Sequence, residues 1–159
     1  MNFKKKKVDG KITFPEEIII ADPTYKADSP YIIQLNNVQK GQYNIYLDFY
    51  SDPQWRQRIA SITAVHENYE PKFVDIDIEE GNIAVDSGTA GIYAKDFFKH
   101  HPRNIEWLEK IWNTVDTKKY TLENKDFTVN SGFGDGFYNV YTAENIYNQI
   151  IAINIVFIE

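Results

Sequence analysis

Gly41-Gln42-Tyr43-Asn44-Ile45-Tyr46-Leu47-Asp48-Phe49 decides the fold class of this chain. Apolar side chains fall at Tyr43, Ile45, Leu47 and Phe49. Gln42, Asn44, Tyr46 and Asp48 stand between them. A period of two puts the two sets on opposite faces of a strand. One face enters a core and the other meets water. Ser51-Asp52-Pro53 ends the strand.

The same reading extends in both directions. Upstream, Lys11 to Phe14 forms a short apolar segment before Pro15. Ile18-Ile19-Ile20-Ala21 is apolar on both faces and reads as an interior strand that stops at Asp22-Pro23. Tyr31 to Leu35 follows. Downstream, Ile59 to Val65 and Phe73 to Ile78 are expected strands. In the second, Val74, Ile76 and Ile78 share one face, and Phe73, Asp75 and Asp77 the other. Glu79-Glu80-Gly81-Asn82 then reads as a hairpin turn into Ile83-Ala84-Val85. Near the C-terminus, Asp126 to Val129, Phe137 to Tyr141 and Gln149 to Ile158 read as strands. The last is apolar on both faces, which predicts a central position in its sheet.

One helix interrupts this pattern. Ile105, Leu108, Ile111, Trp112 and Val115 make one helical stripe between Asn104 and Val115. Pro102 suits its first turn and Asn104 its cap. Asp96 to His100 reads as a short extra turn. The expected fold is therefore mainly β: a β-sandwich or a curved, mostly antiparallel sheet, with one packed α-helix.

The 159 residues fit a single domain. A domain of that size buries about 70% of the surface its unfolded chain exposes, so it needs no staple. Cysteine is absent. That excludes disulfides, thiolate metal sites and cysteine nucleophiles, and fits a reducing, cytoplasmic compartment. Lys and Arg number 17 against 23 Asp and Glu, for a formal charge of −6. That is the wrong sign for a protein that grips duplex nucleic acid. The basic run Lys4-Lys5-Lys6-Lys7 reads as part of a flexible N-terminal end over residues 1–10, or as a phosphate or anionic-lipid contact. The longest apolar stretch, Ile150 to Ile158, falls far short of the roughly 20 residues a spanning helix needs. No apolar segment follows the N-terminal charges, so no secretion signal is expected. The 11 Tyr, 10 Phe and 3 Trp favour strands or a recognition surface.

Three segments depart from plain strand patterning: Ala21-Asp22-Pro23-Thr24-Tyr25, Val85-Asp86-Ser87-Gly88-Thr89-Ala90-Gly91 and Ser131-Gly132-Phe133-Gly134-Asp135-Gly136-Phe137-Tyr138. Each puts an Asp at a strand end or in a turn. Carboxylates from three loops can converge on a hard cation such as Ca²⁺ or Mg²⁺, with Ser hydroxyls and Gly carbonyls completing the shell. Asp22, Asp86 and Asp135 are the candidate metal ligands. Tyr25, Ser87, Ser131 and Tyr138 join them as candidate ligand contacts. Asp and Gly are equally what tight turns require, since both tolerate unusual backbone angles and Asp bonds nearby N–H groups. Loops at one end of a sandwich cluster, so the three segments are expected to meet.

These segments resemble a bacterial and phage family catalogued as domain of unknown function 4241. The strand ending in Asp22-Pro23, the VDSGTAG segment and the SGFGDGFY segment carry the resemblance, with the Gly41-Gln42-Tyr43 strand start. It covers about Ile18 to Phe157. Where that family often has Cys after Asp-Pro, this chain has Thr24, so no thiol role follows. The resemblance implies relatedness and no established activity.

Other chemistries lack support. The alternating acids and closing Glu of a calcium loop are missing around Asp135. The glycines from Gly132 to Gly136 have no strand–turn–helix context, so they are no dinucleotide fingerprint. Ser87 and Ser131 are candidate nucleophiles, with His66, His100 and His101 as the available bases. Ser87 has Val85 rather than Gly two positions before it, unlike a nucleophile elbow. His100-His101 reads as an exposed loop pair. Histidines spaced for zinc are absent. Asp75, Asp77, Glu79 and Glu80 form an acidic strip, either a solvated face or a contact for a basic partner. Trp55, Trp107 and Trp112 are candidates for a binding wall, although Trp112 also lies on the helix's core stripe.

The function expected is a ligand- or protein-binding module with an unidentified small molecule or protein as partner. A metal-dependent hydrolase using the clustered aspartates, and a structural oligomer subunit, are the alternatives.

Overall fold

A computed structural model describes residues 2–54, 56–101, 104–123 and 125–159. In chain order the elements are β1 (Asn2–Phe14), β2 (Ile18–Ala21), β3 (Ile33–Leu35), β4 (Gly41–Asp52), β5 (Arg56–His66), β6 (Ile78–Val85), β7 (Thr89–Ala94), α1 (Lys95–His100), α2 (Ile105–Lys118), β8 (Tyr120–Leu122), β9 (Asp126–Asn130), β10 (Gly136–Glu144) and β11 (Ile150–Val156). The strands form a six-stranded sheet in the order β1-β4-β5-β11-β10-β6 and a five-stranded sheet in the order β3-β2-β7-β9-β8. Every ladder between them is antiparallel.

The period of two in β4 is realised as expected. Tyr43, Ile45 and Leu47 are fully buried in the core between the two sheets. Both sheets feed that core: Ile12, Ile62 and Ile153 come from the larger one, and Ile20, Ile92 and Phe127 from the smaller. β11 lies between β5 and β10, as its apolar faces predict. Its Ile153 and Ile155 enter the main core, and Ile151 and Ala152 join a second cluster on the sheet's outer side. β2 is likewise buried on both faces. Ile18 and Ile20 point inward, and Ile19 packs with Tyr93 and Phe98 beneath α1.

The main helix runs as expected. Asn104 caps α2 by accepting the Trp107 N–H at 2.9 Å, and Ile111 and Val115 are buried. Ile105, expected on the buried stripe, is exposed. Asp96 to His100 falls within α1. Pro102 and Trp55 lie outside the described residues.

Two expectations are corrected. In the end over residues 1–10, read as flexible and basic, residues 2–10 form most of the first strand. Lys4, Lys5, Lys6 and Lys7 pair with Phe49, Asp48, Leu47 and Tyr46 of β4. Lysines along a sheet edge deter pairing with another chain, which is why this run can be both charged and strand. Phe73 to Ile78, expected as a strand, is not one; only Ile78 is strand, as the first residue of β6. Pro71–Phe73 is a 3₁₀ turn, and Val74 and Ile76 lie on the outer cluster of the larger sheet. Their alternation fits a segment lying on a sheet as well as one paired within it. The supposed hairpin turn at Glu79–Asn82 is consequently part of β6. Gly81, at φ +108°, sits where the β6–β10 register shifts, which is a bulge and not a reversal.

Candidate functional site

Asp22 directly follows β2 and is fully buried. Five donors surround its carboxylate. Oδ1 accepts from the Thr24 N–H at 2.8 Å, the Thr24 hydroxyl at 2.7 Å and the Ser87 hydroxyl at 2.9 Å. Oδ2 accepts from the main-chain N–H groups of Asp86 and Ser87, both at 2.8 Å. The side chain thus rivets the end of β2 to the turn between β6 and β7. The third motif joins through the Ser131 N–H, which donates to Gly88 O at 3.1 Å. Ser131 is buried, and its hydroxyl donates to Gly134 O at 2.8 Å. The Tyr138 hydroxyl bonds Ser131 O and Gly134 O. The three segments therefore do meet at one end of the sandwich.

Their electrostatics register at two phenols. Tyr25 is raised above the usual tyrosine range by burial first, then by the charges of Asp22, Asp86 and Asp135. Burial also raises Tyr138, with Asp135 adding to it and the hydrogen bond to Ser131 opposing. Asp86 and Asp135 are exposed.

The metal reading is corrected. Among the described residues, no three His, Asp or Glu side chains are grouped to hold a metal ion. The reason at Asp22 is plain: N–H and O–H donors occupy the lone pairs a Ca²⁺ or Mg²⁺ would need. Asp22, Asp86 and Asp135 share a neighbourhood without sharing a site.

The serine–histidine reading finds no pair either. Ser87 donates to Asp22 and lies 2.7 Å from the Thr89 hydroxyl. His66 is buried elsewhere. Its Nδ1 accepts the Asn68 N–H, so Nε2 carries the proton it shares with Lys40 O at 3.1 Å. The expected exposed pair His100-His101 divides: His100 is exposed, and the His101 ring lies 4.3 Å from the Trp107 ring.

A different place has the character of a site. A cleft of about 730 Å³ runs between one face of α2 and the β8–β9 hairpin. That is within the size range of small-molecule pockets, about 300–1,000 Å³. Trp107, Lys110, Ile111, Thr114 and Lys118 line it from the helix. Phe97 and His101 close one end, with ring centroids 4.7 Å apart and Phe97 6.3 Å from Trp107. Tyr120, Leu122, Glu123, Lys125 and Asp126 form the hairpin side, and Asp9 reaches in from β1.

Asp126 is the chemical centre of this cleft. It begins β9 and is only 5% exposed. Among the described residues its carboxyl has no hydrogen-bond or ion-pair partner. Its pKa is pushed up to about 6, chiefly by burial, with the Glu123 charge adding and Lys110 opposing. A buried carboxyl titrating near neutrality and opening into a cleft is a mark of a functional group.

Trp107 belongs to this cleft, whereas Trp112 lines a smaller pocket of about 220 Å³ with Ser87, Gly88, Gly132 and Gly134. The two tryptophans thus form no common wall. Sequence reading missed Asp126, taking it as an ordinary strand start. The available signal was an acid opening the strand Phe127-Thr128-Val129, whose Phe and Val ask for burial, an arrangement that costs free energy unless the acid has a task. A second signal was Trp107, which falls off the helix's apolar stripe.

Compared with known proteins, the chain matches no family model, no curated protein and no solved structure. Among the described residues, no helix is long and apolar enough to cross a membrane.

Proposed function

We propose that this chain is a binding module that holds a small molecule in the cleft along α2. The observation that carries the reading is Asp126, a residue 5% exposed at the wall of that cleft, whose carboxyl has no partner among the described residues. Partial desolvation of such a group costs stability, as its raised pKa reflects, and paired donors would offset the cost. A ligand that supplies the donor accounts for its retention. The absence of cysteine supports a cytoplasmic setting, and the resemblance carried by the three motifs supports a bacterial or phage origin. Screening a varied small-molecule set by thermal shift tests the reading. A true ligand raises the midpoint of the native chain, and the rise is lost in Trp107→Ala and Asp126→Asn. If every stabilising compound acts equally on both variants, the cleft is not the site.

A second reading, a protein-docking or self-association surface, rests on the motif end. Tyr31, Phe133 and Phe137 are 51%, 48% and 71% exposed there. Tyr31 and Phe137 stand on either side of Ala84, which donates to Tyr31 O and pairs with Phe137. Aromatics so placed suit a partner surface. Sedimentation of the native chain over a wide concentration range, beside Tyr31→Ser/Phe137→Ser, tests self-association. A monomer throughout removes the oligomer-subunit form of this reading.

A further inference from the structure

We infer that the ligand of the α2 cleft is a guanine nucleotide, its base laid on Trp107, its donor edge on Asp126 and its phosphate toward the lysines of the cleft. The inference rests on the binding reading above and narrows it to one chemical class.

Three features of the cleft converge on that class. The first is shape. Trp107 and His101 present rings with centroids 4.3 Å apart and planes tilted by 39° at one end of the cleft, and a flat heteroaromatic ring is the natural complement to an aromatic face. The second is hydrogen-bonding polarity. An ionised carboxylate can only accept, and Asp126 has no donor among the described residues. Guanine offers N1–H and its 2-amino group side by side, two parallel donors for two carboxylate oxygens. Adenine and cytosine each place a ring-nitrogen acceptor beside their amino group, which faces a carboxylate with like polarity. Uracil flanks its single N–H with two carbonyls.

The third is charge along the helix. Lys110 and Lys118 line the cleft from α2, about 12 Å apart along its axis. Lys125 lines it from the hairpin side. None of the three forms a salt bridge among the described residues. Lys110 is near enough to Asp126 to influence its charge. The more distant Lys118 is then available to a phosphate carried beyond the base.

The test is a calorimetric titration of the full chain with GMP, AMP, UMP, guanosine and ribose 5-phosphate at pH 7.5. GMP is expected to bind at least tenfold more tightly than AMP or UMP, with ribose 5-phosphate weaker still. Asp126→Asn should weaken GMP at least tenfold and erase the ranking of bases. Lys118→Gln should weaken GMP several-fold and leave guanosine unchanged. Lys118 is exposed, so this variant keeps the test open if Asp126→Asn fails to fold. Equal binding of GMP and AMP, or a ranking that survives Asp126→Asn, overturns the inference. If no nucleotide binds while a screened compound binds in a Trp107-dependent way, the nucleotide class falls and the binding reading stands. If nothing binds in the cleft, both fall.

Discussion

The Asp22 carboxylate accepts the main-chain N–H of Ser87 at 2.8 Å, across 65 positions of sequence. With the Asp86 N–H on the same oxygen, this ties two loops of the sandwich together inside the protein. Removing the carboxylate leaves part-buried N–H and O–H groups around a fully buried position without an acceptor, and each costs about 1–3 kcal/mol. Asp22→Ala should therefore lower stability by at least about 3 kcal/mol. For a chain of this size that is a drop on the order of 10 °C in melting midpoint. Asp22→Asn should cost nearly as much, because its amide NH₂ would face donors. Melting curves of the three proteins check this. The same geometry predicts that chelator, added Ca²⁺ and added Mg²⁺ leave the native midpoint unchanged.

The VDSGTAG segment contains two glycines with different physical reasons. A Cβ on Gly91 would lie 2.1 Å from Phe127 O, in the neighbouring strand's backbone. Gly91→Ala should cost more than about 3 kcal/mol or prevent folding, since backbone has to move. Gly88 has open space but a φ of +71°, so Gly88→Ala should cost only about 1–2 kcal/mol. Chemical denaturation of both variants decides whether this ordering holds.

Asp126 makes stability depend on pH in an unusual direction. Its folded pKa of about 6 stands above the ordinary value of 3.8, so the native state favours the protonated carboxyl. The contribution is fully present below about pH 4 and is lost as pH rises through about 6. Asp126→Asn should be more stable than the native chain at pH 7.5, by an amount on the order of 3 kcal/mol. Towards pH 4 the difference should vanish. Urea midpoints at both pH values measure it, and a variant less stable at pH 7.5 would refute the assignment.

The lysine-rich start of the chain gives a deletion test. Val8 is 1% exposed and packs in the main core, and residues 2–7 pair along β4. Removing residues 1–9 should lower the melting midpoint by at least about 5 °C, since burial of one such side chain contributes about 1.5–3 kcal/mol. A frayed end would be lost without effect.

What could be read in advance was whatever one residue's pattern decides alone. The alternation in β4, the two-sided apolarity of β2 and β11, and the α2 stripe each follow from burial of a single element. Val74 and Ile76 misled because a segment lying across a sheet alternates like one within it. Gly81 misled because a bulge and a turn both favour glycine. The meeting of the Asp22, Ser87 and Ser131 loops was legible from their placement at strand ends. That Asp22 would be saturated by donors was not, since its partners Asp86 and Ser87 come from a distant turn. The cleft was hidden for the same reason: Trp107, Asp126 and Asp9 are joined only by the packing of α2 and β1 around the β8–β9 hairpin.

The position of β11 has a consequence for how the protein comes into being. It is made after the other five strands of the larger sheet, yet it fills the middle of that sheet. Until residue 156 has cleared the ribosome, β1-β4-β5 and β10-β6 are two separate pieces with bare inner edges. Synthesis therefore passes through a stage that presents two sticky margins at once, and closure depends on the last strand to arrive.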